Sequence, residues 1–331
     1  MSLLDVQNLT LRFRTDEGMV TAVDDVSFTV EPGEVMALVG ESGSGKSVTA
    51  KSVMQLNPRN AVYDPASSIT LGLESGRVDV LSLKTPKQLN VVRGGAVSMI
   101  FQEPMASFAP AITIGEQMVE QLMLHGWTDK KAARRHGIEM LERVGISAAA
   151  QRFDQYAFEL SGGMRQRAMI AMALSTRPKL LIADEPTTAL DVTIQAQVID
   201  LMKDLVAEFG MGIVFITHDL GVVAQTADKV SVMYLGRLVE TGPVRGVIRE
   251  PAHPYTQGLL NALPKLDDLD APLTPVPGDI PSPLERPTGC VFHTRCPHAM
   301  PGRCDAARPA PAPQGPGHDS ACFLHARAQA A

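Results

Sequence analysis

Aromatic side chains are scarce in this chain: one Trp, four Tyr and ten Phe make up 5% of its 331 residues. A stacking platform for single-stranded nucleic acid needs such rings, so their scarcity argues against one. A basic excess is also missing. Thirty Lys and Arg face 36 Asp and Glu, giving a net charge of −6 and a pI near 5.8. That balance excludes wholesale coating of nucleic acid and leaves room only for a local basic patch. No apolar run approaches the roughly 18 residues of a bilayer-spanning helix. The start, Met1-Ser2-Leu3-Leu4-Asp5, lacks the basic opening and apolar stretch of a signal peptide. The chain is therefore expected in the cytosol, touching a membrane only through partners. Cysteine is absent before Cys290.

What is present is the material of a folded core. Hydrophobic residues are 45% and charged residues 20%, which excludes global disorder. The length suits one large α/β domain with a smaller appendage. Val35–Val39, Val97–Phe101, Leu180–Ala183 and Ile213–Thr217 read as strands, each short, apolar and bounded by polar residues or Gly. Lys130–Val144 and Thr193–Phe209 read as helices, the second with Ile194, Val198, Leu201, Leu205 and Phe209 on one stripe. This rhythm predicts a largely parallel sheet covered by helices. No internal repeat is visible. Composition changes near residue 240: sixteen of the 24 prolines, counted from Pro243, and all four cysteines lie beyond it. The expected division is therefore a domain over 1–240 and a Pro- and Cys-rich extension over 241–331.

The strand Val35–Val39 runs into Gly40-Glu41-Ser42-Gly43-Ser44-Gly45-Lys46-Ser47, a G-x-x-x-x-G-K-S pattern with a strand before it and a helix pattern after it. Gly40, Gly43 and Gly45 let the backbone curl, so that N–H groups from Ser42 through Val48 point at phosphate oxygens. Lys46 places a point charge on the β- and γ-phosphates, and the Ser47 hydroxyl suits Mg2+. The following helix adds the positive end of its dipole. The reading is a nucleoside triphosphate site, with ATP and Mg2+ as the ligands.

Leu180-Leu181-Ile182-Ala183 ends in Asp184-Glu185. A carboxylate leaving the C-terminal end of such a strand lies beside a phosphate loop in α/β sheets, where Asp184 can hold Mg2+ through water. Glu185 is then placed to orient or deprotonate an attacking water.

Leu160-Ser161-Gly162-Gly163-Met164-Arg165-Gln166 resembles the signature of ABC-transporter ATPases, which precedes their acidic strand. Ser161, Gly162 and Gly163 at a helix N-terminus make a second anion cradle, and the resemblance implies that it closes on the γ-phosphate held by the other ATPase subunit. The same family pattern matches Gln102 to a glutamine that senses Mg2+ and water. It also matches Asp191, in Ala189-Leu190-Asp191, to a loop touching the opposite subunit. His218, after Ile213–Thr217, matches a histidine that contacts the γ-phosphate, and Phe13 an adenine-stacking aromatic. Residues from about 103 to 175 match an inserted helical subdomain that receives the membrane subunits. Met164 stands where the family most often has Gln, a mark of the dipeptide/oligopeptide importer subfamily. The fold implied is a P-loop ATPase core, a RecA-like parallel sheet with an antiparallel β part, plus the helical subdomain.

Pro251-Ala252-His253-Pro254-Tyr255-Thr256 resembles the His-Pro-Tyr segment that opens the C-terminal extension of that subfamily. Leu259, Leu260 and Leu263 follow it as a short amphipathic helix ended by Pro264. Cys290, Cys296, Cys304 and Cys322 lie in a Pro-rich region that needs a staple to fold. Disulfides are disfavoured in a reducing cytosol, and no closely spaced Cys pair of the structural zinc type is present. Similarly spaced cysteines in several subfamily members carry an iron–sulfur cluster, so the resemblance implies a [4Fe–4S] site in a small, loop-rich, metal-stapled domain. Zinc, with His293 or His298, and free thiols remain the alternatives.

The implied function is ATP-driven solute import at the cytoplasmic face of the inner membrane, with the chain bound peripherally. Its expected partners are two multi-spanning permeases, a second ATPase (a paralogue by family habit) and, through the complex, a periplasmic or extracellular solute-binding protein. No nucleic acid is expected. Di- and oligopeptides are the leading cargo, with oligosaccharide, nickel or another small solute as alternatives. A soluble ABC ATPase of DNA repair or translation, and an interaction protein with a vestigial site, are the other classes. The first lacks its usual insertions here, and the second is opposed by the intact Glu185 and His218.

Overall fold

The computed structural model describes residues 2–187, 192–263 and 275–325. Strands β1 (Leu4–Thr15), β2 (Gly18–Val30) and β3 (Val35–Val39) lead into helix α1 (Lys46–Val53). Short strands β4 (Ala61–Tyr63), β5 (Ser68–Leu73) and β6 (Gly76–Asp79) precede α2 (Pro86–Val92) and β7 (Val97–Ile100). Five helices follow: α3 (Pro104–Ser107), α4 (Ile114–Leu124), α5 (Lys130–Arg143), α6 (Ala149–Phe153) and α7 (Gly162–Ser175). Alternation resumes with β8 (Leu180–Asp184), α8 (Val192–Phe209), β9 (Gly212–Thr217), α9 (Leu220–Thr226), β10 (Lys229–Tyr234) and β11 (Arg237–Pro243). The remaining elements are α10 (Val244–Arg249), α11 (Pro254–Asn261), β12 (Ala312–Gly315) and β13 (His318–Ser320). The chain forms two compact units, one of Met1–Asp5, Thr29–Val35 and Thr70–Ile216, the other of Val6–Phe28, Met36–Ile69 and Thr217–Ala331.

In the first unit, β7, β8 and β9 run parallel, with Val97 opposite Leu180 and Leu180 opposite Gly212. Every residue of the three strands is buried, the pattern of a parallel sheet covered on both faces. The helices start where their caps dictate. Thr113 and Glu116 form a capping box on α4, and the Asp129 carboxylate accepts the Lys131 N–H on α5. Helices α4, α5 and α7 pack together. Phe153 of α6 is buried against Gly115 and Gly137, where any side chain would collide with its ring, and Arg134 stacks over that ring at 4.9 Å.

The structure turns α8 from its expected face. Val198, Ile199, Met202 and Val206 are buried, whereas Leu201 and Phe209 are half-exposed; the side chains of Ile194 and Leu205 lie outside the described residues. Phe209 serves instead as a platform for the guanidinium groups of Arg143 and Arg177.

In the second unit the strand order is β12-β13-β11-β10-β3. β3 and β10 are parallel and the others antiparallel, while β1 pairs with β4 through Leu11 and Tyr63. The Pro-rich extension thus adds β13 beside β11, with Glu240 opposite Ser320. Its core is aromatic: Tyr234, Tyr255 and Phe292 are fully buried with ring centroids 4.7–5.3 Å apart. Glu240 is buried as well. A carboxylate there needs donors, and it receives the Ala252 N–H, the His253 N–H and His318 Nε2–H. The short helix expected near residue 260 is α11. α11 begins at Pro254 and buries Pro254, Tyr255 and Thr256, while Leu259, Leu260 and Leu263 are half-exposed; Pro264 lies outside the described residues. Among the described residues, no helix is long and apolar enough to cross a membrane.

Candidate functional site

The phosphate loop in the second unit springs from β3. Gly40 (φ 150°) and Gly45 (φ 102°) take left-handed backbone. A Cβ on the first would collide with the Met233 carbonyl, and one on the second with the Ala22 carbonyl, so only Gly fits at either place. Lys46 is 5% exposed. Its ammonium donates to the carbonyl oxygens of Gly40 (2.7 Å) and Glu41 (2.9 Å) and to Ser44 Oγ (3.4 Å), which folds the loop back over the start of α1. Ser44 is further tied by its carbonyl, which accepts the Gly236 N–H. Ser42 and Gly43 are exposed, while Ser47 and Val48 are half-buried in the first turn of α1. Phe13 is half-buried on β1, opposite Ala61. His218 is exposed just after β9. Asp219, which the sequence reading passed over, caps α9 by accepting the Gly221 and Val222 N–H groups.

The first unit carries the acids. Asp184 is the last residue of β8 and is 3% exposed. Glu185 follows at φ 48°, its N–H donating to the Ile216 carbonyl. Gln102 is exposed beyond β7, and its Nε2 donates to Glu185 Oε2 at 3.2 Å. The structure therefore brings together two residues singled out separately in the sequence. Ser161 caps α7 by accepting the Met164 N–H at 3.3 Å, with Gly162 and Gly163 forming the first turn. Gln166 was quoted in the sequence but given no role. It is buried, and its side-chain amide donates to the Pro186 carbonyl, linking α7 to the residue after the acids. Asp191 lies outside the described residues.

The four cysteines are unpaired as disulfides. Cys290, Cys304 and Cys322 are each 8% exposed and Cys296 is half-buried. Cys304 Sγ accepts the Met300 N–H at 3.4 Å. Burial raises the pKa values of Cys290 and Cys296, and pushes that of Cys322 up to about 11; the electrostatic influence of the neighbouring thiols adds to each. Among the described residues, no three His, Cys, Asp or Glu are grouped so as to hold a single metal ion.

A family model described as ABC transporter matches residues 23–188, half of the chain. The chain belongs to the ABC transporter ATPases. A second model, described as oligopeptide/dipeptide transporter, C-terminal region, matches residues 239–304 of this ABC ATPase, which takes in Cys290, Cys296 and Cys304 but not Cys322. A Brucella melitensis protein named as a peptide import ATP-binding protein is 49% identical over 327 residues, covering 97% of this chain and 96% of its own. The oligopeptide transport ATP-binding protein OppD of Salmonella typhimurium is 49% identical over 321 residues, covering 97% and 93%. Among solved structures, the dimeric ATP-binding cassette MJ0796, in a post-hydrolysis state with ADP and phosphate, superposes with a TM-score of 0.64. It is 24% identical and covers 73% of this chain and 99% of its own, a likeness of fold.

Proposed function

We propose that this ABC ATPase powers import of di- and oligopeptides from the cytoplasmic face of the cell membrane. The observation that carries the reading is full-length identity of 49% to OppD, joined to the match of the transporter C-terminal region. Gly40 to Val48, with Lys46 at their centre, take the triphosphate of ATP, and Phe13 takes its adenine. Ser47, Asp184 and Gln102 each carry a hard oxygen donor of the kind that suits Mg2+. When bound, Mg2+ would neutralise charge on the phosphates. Glu185, steadied by Gln102, holds and deprotonates the attacking water, and His218 meets the γ-phosphate. Ser161, Gly162, Gly163 and Asp191 serve the nucleotide of a second, paralogous ATPase. The division of labour falls near residue 240, with the helices between 103 and 175 receiving two multi-spanning permeases, and a solute-binding protein delivering cargo on the far side. The test is affinity purification of the tagged chain from detergent-solubilised membranes of its host. Two multi-spanning proteins and a second ATPase in equal amounts are the expected result; a purely soluble chain without membrane partners would sink the reading.

We propose further that Cys290, Cys296, Cys304 and Cys322 hold a [4Fe–4S] cluster, whose chemistry here is that of a staple for a region poor in apolar residues. Two observations support it. All four thiols lie close enough to raise one another's pKa values, and Cys304 Sγ accepts the Met300 N–H, a bond of the kind that thiolate ligands take from their outer shell. Anaerobically purified protein should contain iron and acid-labile sulfide. Zinc without sulfide would replace the cluster with the zinc alternative, and neither metal would leave structural thiols.

A further inference from the structure

The nucleotide reading leaves unused a set of contacts, all within the second unit, between the phosphate loop and the extension. Glu41, the second residue of the loop, is held at three points. Its N–H donates to Tyr255 Oη at 2.9 Å, and its carbonyl accepts from Lys46 Nζ. Its carboxylate meets Arg295 in a two-pronged pair, with Nη1 at 2.7 Å from Oε2 and Nη2 at 3.1 Å from Oε1. Two of the three partners come from beyond residue 250.

Arg295 is built for this position. Its side chain is 4% exposed. Nε donates to the Pro277 carbonyl and Nη2 also to that of Val276, while the guanidinium lies over the Tyr234 ring at 5.7 Å. It ends the 3-10 turn His293–Arg295, set between Cys290 and Cys296 and tied down by the His293 N–H to the Cys290 carbonyl. Tyr255 is fixed by burial against Tyr234 and Phe292. Both groups therefore reach Glu41 from rigid surroundings, which is what an exact fork-to-fork pair needs.

The electrostatics give the arrangement a purpose. Glu41 puts a negative charge into a loop that must accept a polyanion, and left alone that charge repels the triphosphate. Arg295 cancels it, and Tyr255 holds the backbone through which Lys46 is aimed. We propose that Tyr255 and Arg295 are positioning residues for the phosphate loop, so that the C-terminal extension sets how tightly this ATPase takes its nucleotide. The inference rests on the nucleotide reading above.

The test uses the full chain, with fluorescent trinitrophenyl-ATP binding and steady-state ATP hydrolysis as readouts and Lys46→Ala as the control. Arg295→Met should weaken binding and raise KM about ten- to a hundredfold, the scale of a lost charge-assisted bond, with a much smaller change in kcat. Adding Glu41→Gln to Arg295→Met should recover most of that loss, because no charge is left to neutralise. Tyr255→Phe, which keeps the ring packing, should weaken binding about threefold to tenfold. If Arg295→Met fails to fold, Tyr255→Phe and Glu41→Gln carry the test alone. Wild-type affinity in Tyr255→Phe and Arg295→Met, or equal loss in the single and double variants, would overturn the proposal. If the wild type binds no better than Lys46→Ala, the nucleotide reading itself fails, and the proposal with it.

Discussion

Glu185 follows a fully buried strand at φ 48°, in the left-handed region that costs a residue with a side chain about 1–3 kcal/mol. The position is held because its N–H must meet the Ile216 carbonyl while the carboxylate reaches Gln102. Stability and chemistry therefore pull apart at this residue. Glu185→Gly should raise thermal stability by up to about 1 kcal/mol and abolish turnover. Glu185→Gln keeps shape and strain, so it should bind ATP normally while phosphate release falls about 10²–10⁴-fold. Robust turnover in the Gln variant would remove Glu185 from its role. Lys46, Ser47, Asp184 and Glu185 were legible in the sequence because strand, glycine spacing and charge stand side by side there. The bond from Arg295 to Glu41 joins positions 254 apart, and no local pattern marks either residue. Gln166 escaped for a related reason: a glutamine on a helix is usually solvated, and only the fold reveals that this one is buried.

At the scale of elements, starts were easier to read than faces. Ser161 before two glycines announces α7, and the observed cap is that residue. Helix α8 shows the limit. Its apolar residues support two overlapping stripes, and only packing selects Val198, Ile199, Met202 and Val206 over Leu201 and Phe209. In α11 the His-Pro-Tyr segment turns out to be a cap. His253 Nδ1 accepts the Tyr255 N–H, so the ring proton sits on Nε2, which is buried without a partner among the described residues. Burial, and then the charge of His325, push the pKa of His253 down to about 3. The unfolded chain takes up that proton near pH 6.5 and the folded chain does not. This group therefore penalises folding progressively as pH falls from about 6.5 towards 3, by up to about 1.4 kcal/mol per pH unit, and has no such effect above that window. His253→Asn retains a capping acceptor and cannot titrate. Urea unfolding from pH 7.5 to 4.5 should show a shallower acid limb in this variant; an unchanged slope would contradict the assignment.

At the scale of the whole molecule, the change in composition near residue 240 marks where prolines become dense and, further on, cysteines begin, not which strands the tail meets. The contacts group Thr217–Ala331 with Val6–Phe28 and Met36–Ile69, and β13 pairs with β11 although α10, α11 and β12 lie between them in the chain. Such non-local pairings leave no periodic trace in a Pro-rich segment, so the extension was legible in the sequence and its docking was not. The account as a whole makes this chain the ATP-driven element of a peptide importer. The direct measurement is uptake of a labelled tripeptide by host cells lacking the chain, complemented with wild type or with Lys46→Ala. The account predicts accumulation above the external concentration with the wild type and none with Lys46→Ala. Equal uptake in both, or no dependence on the chain at all, would contradict it.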